Sequence, residues 1–192
     1  MSDAVGTAAA VKVLGICGSL RKGSYNAAAL RAAQELAPDG LTIETFDIAP
    51  IPIYNEDVRA EGLPPAVEQF RECIRAADAL LFVTPEYNYS VPGVLKNAID
   101  WASRPPEQPF AGKPVAIMGA TPSVLGTARA QYHLRQILVF LDMHPINKPE
   151  VMIAAASGKF DAAGRLTDET TRDFVRQLLT ALRDWTRRLT AK

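Results

Sequence analysis

Short apolar runs alternate with helical patterns along most of the chain. Residues 79–83 form a continuous apolar run, as expected of a strand buried on both faces, whereas residues 41–46 alternate like a half-buried strand. Elsewhere, apolar residues recur every three or four positions, which is the spacing of an amphipathic helix. The elements predicted for the first half are strand 11–17, helix 26–36, strand 41–46, a proline-rich loop over 48–65, helix 67–77 and strand 79–83.

The second half continues this alternation. A helix that starts at Pro92 is followed by a strand at 114–119 and by a longer helix over about 127–141. A fifth strand is expected within 144–153, with its limits blurred by two prolines, and a last helix is expected to begin at Thr167. The apolar positions expected to face the sheet are Tyr132, Leu134, Ile137, Leu138 and Leu141 on the longer helix and Phe174, Leu178, Leu182 and Trp185 on the last.

Alternating strands and helices with buried strands predict an α/β fold, in which right-handed crossovers cover both faces of a parallel sheet. Five such units make one doubly wound domain over residues 11–192, preceded by a disordered leader over residues 1–10. In sheets of this kind, ligands bind at the carboxyl ends of the strands where the winding reverses. We therefore expect the functional site in the loops after the first, third and fourth strands.

The composition argues against several classes of protein. The 192 residues suffice for one core, and Lys plus Arg equals Asp plus Glu at 21 each, which argues against a nucleic-acid partner or a membrane surface. No stretch has the pattern of a signal peptide or a membrane span. The two cysteines and two histidines belong to no disulfide or metal-ligand pattern, so no metal site is expected. These features are typical of a cytoplasmic protein.

The loop after the first strand, residues 18–26, combines glycines with hydroxyl, amide and cationic side chains. Backbone amides at a helix N-terminus are unsatisfied and the helix dipole favours an anion, while Ser19, Ser24 and Asn26 add further donors. Arg21 can form a charge-assisted, bidentate bond to phosphate oxygens. The loop therefore predicts a phosphate site; the alternative is an ordinary turn with Ser24 as N-cap and two solvated cations.

The spacing of this loop argues against two other nucleotide motifs. A Walker loop needs a lysine directly after its second glycine, whereas here Ser24 follows Gly23 and Lys22 precedes it. A Rossmann fingerprint needs three glycines spaced as GxGxxG, but Gly15 and Gly18 form only a GxxG pair. Neither ATP binding nor a dinucleotide fingerprint is predicted for this loop.

The loop after the third strand, residues 84–93, is stiffened by two prolines. A rigid loop with two tyrosines can wall a flat aromatic ligand, and its backbone can meet the polar edge of a heterocycle. The alternative is a crossover loop whose tyrosines seal the sheet or a subunit contact. The residues that the loop presents between its prolines are Glu86, Tyr87, Asn88 and Tyr89.

Two long motifs, taken together, resemble a known family. The segment 13–26, with its Gly-Ser-Leu-Arg-Lys-Gly-Ser turn, and the segment 84–101, which begins Thr-Pro-Glu-Tyr-Asn-Tyr-Ser, are similar to the NADPH-dependent FMN reductases, including quinone- and chromate-reducing members. The likeness covers nearly the whole chain after residue 10. It implies a flavodoxin-like fold, FMN as cofactor, and NADPH or NADH as electron donor.

The resemblance also implies which residues bind the flavin. The phosphate would be held in the loop that begins at Gly18, by Ser19, Arg21, Ser24 and Asn26. The isoalloxazine ring would be lined by Pro85, Glu86, Tyr87 and Asn88, and the site would be closed by Ala120 and Thr121.

Similar proteins form dimers that pair into tetramers, so the resemblance implies a homo-oligomer. The helix over about 127–141 carries more polar side chains than packing on its own sheet requires; the alternative to an interface is a solvated helix face. The interface candidates are Arg129, Tyr132 and Glu150.

The predicted reaction is a two-electron reduction of a quinone by NAD(P)H through FMN, with chromate and azo compounds as further acceptors. No His–carboxylate or Ser–His pairing calls for a catalytic side chain, because the flavin carries the chemistry. One short domain with one flavin site predicts that donor and acceptor use the same flavin face in turn, in a ping-pong cycle. The alternative is a flavodoxin-type electron carrier without its own substrate, although such carriers are usually acidic and this chain is balanced.

Overall fold

The computed structural model describes residues 9–191. Its six strands are β1 Val11–Cys17, β2 Leu41–Phe46, β3 Ala79–Val83, β4 Pro114–Ala120, β5 His144–Pro145 and β6 Val151–Ile153. They form one parallel sheet in the order β2-β1-β3-β4, and β5 and β6 both pair with the remaining edge of β4. The predicted flavodoxin-like, doubly wound sheet is confirmed, with its fifth strand divided into two short pieces.

Helices cover both faces of this sheet. They are α1 Tyr25–Glu35, α2 Glu56–Ala60, α3 Pro65–Ala76, α4 Gly93–Ala102, α5 Ala128–Phe140 and α6 Glu169–Thr190. Successive strand residues point to opposite faces, so Leu81 and Val83 pack with α1 and α6, whereas Leu80 and Phe82 pack with α3, α4 and α5. All five residues of β3 are buried, which explains the continuous apolar run in its sequence.

Four expectations about these elements are corrected. The proline-rich loop contains α2, which is capped by the Asn55 side chain. The fifth strand is interrupted between β5 and β6, and α6 is capped by Asp168 instead of beginning at Thr167. Tyr132 and Phe174 are 49% and 46% exposed, so they do not face the sheet. Each helical residue turns the chain by about 100°, so Tyr132 lies on the side of α5 opposite the buried Leu134, and Phe174 lies about 100° from the buried Val175.

Other predictions concern the chain as a whole. Residues 1–8 of the predicted leader lie outside the described residues, while residues 9 and 10 are exposed and have no regular secondary structure. Within residues 9–191, no helix has the length and hydropathy needed to cross a bilayer. In the same range, no group of three or more His, Cys, Asp or Glu residues is arranged to hold a metal ion.

Candidate functional site

A cleft of about 210 Å³ lies at the carboxyl ends of β1, β3 and β4. This is the place where the topology predicts a ligand, because the winding of the sheet reverses there. Two loops form most of it: the phosphate loop, residues 18–24 after β1, and the ring loop, residues 84–92 after β3. The cleft is lined by Ser19, Arg21, Ser24, Tyr25, Asn26, Pro85, Glu86, Tyr87, Ala120, Thr121 and Pro122.

Nine of the eleven residues predicted for the site line this cleft. Gly18 is buried behind it, and its amide donates to the carbonyl of Val83 at 2.9 Å. Asn88 lies on the exposed tip of the ring loop. Two lining residues, Tyr25 and Pro122, were not predicted; Tyr25 directly follows the predicted phosphate-binding serine, which was the available signal.

The phosphate loop is built around Ser24. Its Oγ accepts hydrogen bonds from the amides of Asn26 at 3.1 Å and Ala27 at 3.3 Å, and so caps α1. The Ser24 hydroxyl hydrogen stays available, because a hydroxyl that accepts can still donate. Ser24 is thus the N-cap that the sequence offered as the alternative to a phosphate site, and this cap does not prevent the loop from binding a ligand. Within residues 9–191, the loop amides that donate no hydrogen bond are those of Ser19, Leu20, Lys22, Gly23 and Tyr25.

The cation of the cleft is also unpaired. The Arg21 side chain is exposed, and in the described part of the chain it forms no ion pair; its guanidinium carbon lies 5.8 Å from the ring centre of Tyr25. Burial raises the pKa of the neighbouring Cys17 thiol, so this thiol stays protonated and adds no negative charge. Unpaired amides, a free hydroxyl donor and a free guanidinium at a helix N-terminus fit a phosphate group.

Asn26 joins two of the loops. Its Nδ2 donates to the carbonyl of Ala120 at 2.9 Å, and its Oδ1 accepts from the Ala120 amide at 2.8 Å. This buried, reciprocal pair fixes the end of β4 against the start of α1. The Asn26 amide group therefore shapes the cleft and has only one hydrogen left for a ligand.

Glu86 points away from the cleft centre, toward the N-terminus of α5. Its Oε2 accepts from the amides of Arg129 at 3.0 Å and Ala130 at 3.2 Å, and its carboxylate forms an ion pair with the Arg129 guanidinium. Burial raises the pKa of Glu86, but these hydrogen bonds and the Arg129 charge outweigh it and hold the pKa below its usual value. Glu86 is thus an ionised cap of α5, and its carboxylate is already bound within the protein.

The tip of the ring loop is held in a tight turn. The backbones of Tyr87 and Ser90 exchange two hydrogen bonds, and Asn88 and Tyr89 between them have left-handed φ angles of 47° and 68°. The Arg129 guanidinium lies 3.4 Å from the ring centre of Tyr89, and the Ser90 hydroxyl is 2.9 Å from a ring nitrogen of His133 on α5. The loop is therefore bound to α5 by side chains along its length.

The three interface candidates make contacts within the chain. Arg129 pairs with Glu86, and the Tyr132 hydroxyl donates to Glu150 Oε1 at 3.1 Å. These contacts give all three candidates a partner within their own chain. The assembly of the protein therefore stays a prediction.

Comparison with known proteins gives consistent results. Residues 11–158 match the sequence model of the NADPH-dependent FMN reductase family. An NAD(P)H-dependent FMN reductase of Pseudomonas aeruginosa is 69% identical over 93% of this chain and 97% of its own. A quinone reductase of Escherichia coli is 49% identical over 93% and 97%. The structure of a flavoenzyme NAD(P)H:(acceptor) oxidoreductase of Paracoccus denitrificans superposes with a TM-score of 0.85 at 38% identity, covering 93% of this chain and 98% of that one.

Proposed function

Since this chain belongs to the NADPH-dependent FMN reductase family, we propose that it binds FMN in the cleft described above and uses NAD(P)H to reduce quinones. Membership makes the chain an NAD(P)H-dependent oxidoreductase with FMN as its cofactor, which confirms the sequence resemblance. The quinone acceptor is supported by the E. coli relative, which is named a quinone reductase. We further propose that the residues lining this cleft are the ones that hold FMN.

The observation that carries the proposal is the set of unpaired donors in the phosphate loop. Arg21 and the free amides of the loop can all donate to an anion, and a phosphate group supplies the acceptor oxygens. The ring loop supplies a wall beside it, to which Pro85, Glu86 and Tyr87 contribute. A phosphate at one end of the cleft and a flat ring at the other are the two parts of FMN.

FMN, when bound, accepts a hydride from NAD(P)H and passes two electrons to the acceptor. With a quinone the reaction balances as NAD(P)H plus a proton plus quinone giving NAD(P)⁺ plus hydroquinone. Glu86 is the only carboxylate among the described lining residues, and it is ion-paired to Arg129. The protein therefore binds and orients, and the proton comes from solvent.

Absorption spectroscopy tests this proposal directly. The purified protein, saturated with FMN and kept without air, should lose its absorption near 450 nm on addition of NADH or NADPH and regain it on addition of a quinone. A flavin that stays oxidised with both nucleotides would favour the flavodoxin-type electron carrier. Protein that binds no FMN would end the proposal.

Steady-state kinetics test the shared use of one flavin face. Initial rates at several fixed quinone concentrations should give parallel double-reciprocal lines, because oxidised nicotinamide must leave before quinone enters. Excess quinone should inhibit competitively against the nicotinamide. Intersecting lines would instead indicate a ternary complex with a separate nicotinamide pocket.

The proposal extends to further electron acceptors and to the location and assembly of the protein. We expect chromate and azo compounds to act as further acceptors, because a two-electron donor at an open flavin face selects its acceptor weakly.

We also expect the protein to be a cytoplasmic homo-oligomer, either a dimer or a tetramer. If Tyr132 and Glu150 join subunits, Glu150→Lys should lower the mass in solution, whereas a monomeric wild type at micromolar concentration would exclude this assembly.

A further inference from the structure

A second cleft, of about 300 Å³, lies on the other side of the phosphate loop. It is bounded by Lys22 and Gly23 of that loop, by the start of α1 and by the turn at residues 160–164. Ser24 and Tyr25 line both clefts, so the second cleft begins where the proposed FMN phosphate site ends. The turn lies beyond residues 11–158, the part of the chain that matches the family model.

The second cleft is positively charged. Lys22 and Arg31 line it, both side chains are exposed, and neither forms an ion pair or a side-chain hydrogen bond within residues 9–191. Asp161 is the only carboxylate among its described lining residues, and it is already bound by Arg165, whose amide and Nε donate to it at 2.9 Å and 2.7 Å. Arg21 faces the first cleft, so the two cations of the second cleft exceed what the FMN phosphate uses.

The walls of the second cleft suit a nucleoside. The rings of Tyr25 and Phe160 lie 5.5 Å apart between centres, at an angle of 36°, and form an aromatic wall. Gly164 has a φ of +74°, and a Cβ there would lie 3.0 Å from Arg31 Nη2. The glycine therefore lets the Arg31 guanidinium lie against the turn, and the Arg31 side chain is exposed.

From these observations we infer that Lys22 and Arg31 bind the 2′-phosphate of NADPH, with the adenosine in the second cleft. The inference rests on the proposed function, which brings a nicotinamide dinucleotide to the adjoining cleft. The 2′-phosphate is the one group that NADPH carries and NADH lacks, and Arg and Lys side chains are well suited to bind a phosphate monoester. The cleft would thus make the enzyme prefer NADPH to NADH.

Binding of two adenosine fragments tests this inference without turnover. Calorimetry on the FMN-loaded protein would compare 2′,5′-ADP, which carries the 2′-phosphate, with 5′-AMP, which lacks it. The variants Lys22→Ala and Arg31→Ala would be compared with Lys12→Ala, which removes an exposed lysine near the opposite end of β1. We expect Lys22→Ala and Arg31→Ala each to weaken 2′,5′-ADP by roughly tenfold or more, and to leave 5′-AMP and FMN binding as in the control.

Three results would overturn the inference: unchanged binding of 2′,5′-ADP in both variants, an equal loss of 5′-AMP, or a matching loss of FMN. An equal loss of 5′-AMP would assign the cations to another phosphate, and a loss of FMN would assign them to the flavin. The ratio of kcat/KM for NADPH to that for NADH should fall in both variants. Bleaching of the flavin by saturating NADH reports the proposed function separately, so bleaching with an unchanged ratio would contradict this inference alone.

Discussion

The phosphate loop and the ring loop lie side by side but use their polar groups in opposite ways. Within residues 9–191, the phosphate loop leaves Arg21 and several amides without a protein partner. The ring loop uses its charged and polar side chains inside the fold, since Glu86 caps α5 and Ser90 meets His133. The first loop therefore keeps donors available for a ligand, whereas the second loop is fixed in shape by its contacts with α5.

Because of this contrast, we expect substitutions in the two loops to change different properties, namely ligand affinity for the phosphate loop and stability for the ring loop. A change in the phosphate loop should alter ligand affinity more than stability, because its unpaired groups contribute little to folding. A change in the ring loop should alter stability first, because its side chains hold α5 in place. Ser24 is the exception within the phosphate loop, as it is buried and caps a helix.

The largest effect on stability is expected from Glu86→Ala. This change removes the cap of two α5 amides and leaves the Arg129 guanidinium without its partner, so unfolding should become easier by about 2–3 kcal/mol. The control is Glu72→Ala, because Glu72 forms an exposed ion pair with Arg75 and should cost less than about 0.5 kcal/mol. Urea denaturation measures both, and equal losses would show that the ring loop is not held by its side chains.

A smaller effect is expected from Ser24→Ala, which tests the exception. Losing the N-cap of α1 should cost about 1 kcal/mol of stability in the protein without flavin, whereas Ser24→Gly should cost only a few tenths. Both variants lose the hydroxyl donor, so both should bind FMN more weakly. If Ser24→Ala left the stability without flavin unchanged, the cap would not contribute to folding.

The smallest effect is a pH dependence that sharpens the part played by Glu86. Its folded-state pKa lies below its ordinary value of about 4.3, so its contribution to stability is present above that value and is lost as the pH falls through the folded pKa. The difference in unfolding free energy between wild type and Glu86→Gln should be constant above about pH 5 and shrink below it. Asp161 and Asp168 also have lowered pKa values, but they are present in both proteins and cancel. If the difference in unfolding free energy stayed constant from about pH 5 down to about pH 3, Glu86 would not act as an ionised cap.

The sheet was predicted well from the sequence because buried strands have recognisable patterns of apolar residues. The bounds of β2 and β3 agree with the apolar patterns at 41–46 and 79–83. The interruption between β5 and β6 was not predicted. Proline indicates that strand pairing is disrupted, but it does not indicate at which residue the pairing starts again. The short helix α2 was missed inside a proline-rich loop, although Asn55 followed by two acidic residues is an N-terminal signal.

The sequence predicted where the cleft lies but not the orientation of the side chains around it. The carboxyl ends of parallel strands meet at one edge, so three loops far apart in sequence had to converge. The partner of a side chain depends on contacts across the sequence, however. Glu86 reaches α5, 43 residues away, and Asn26 reaches Ala120, 94 residues away. No local pattern distinguishes such a contact from one with a ligand.

The most direct test of the contrast is the affinity of FMN relative to riboflavin, which lacks the phosphate, in wild type and Arg21→Ala. Loss of one charge-assisted contact to the phosphate should weaken FMN roughly 10- to 100-fold and leave riboflavin nearly unchanged, so the preference for FMN should collapse. Glu86→Gln, measured alongside by fluorescence quenching, should change both ligands by the same factor. An equal loss of FMN and riboflavin in Arg21→Ala, with the preference for FMN intact, would contradict the assignment of the phosphate to this loop.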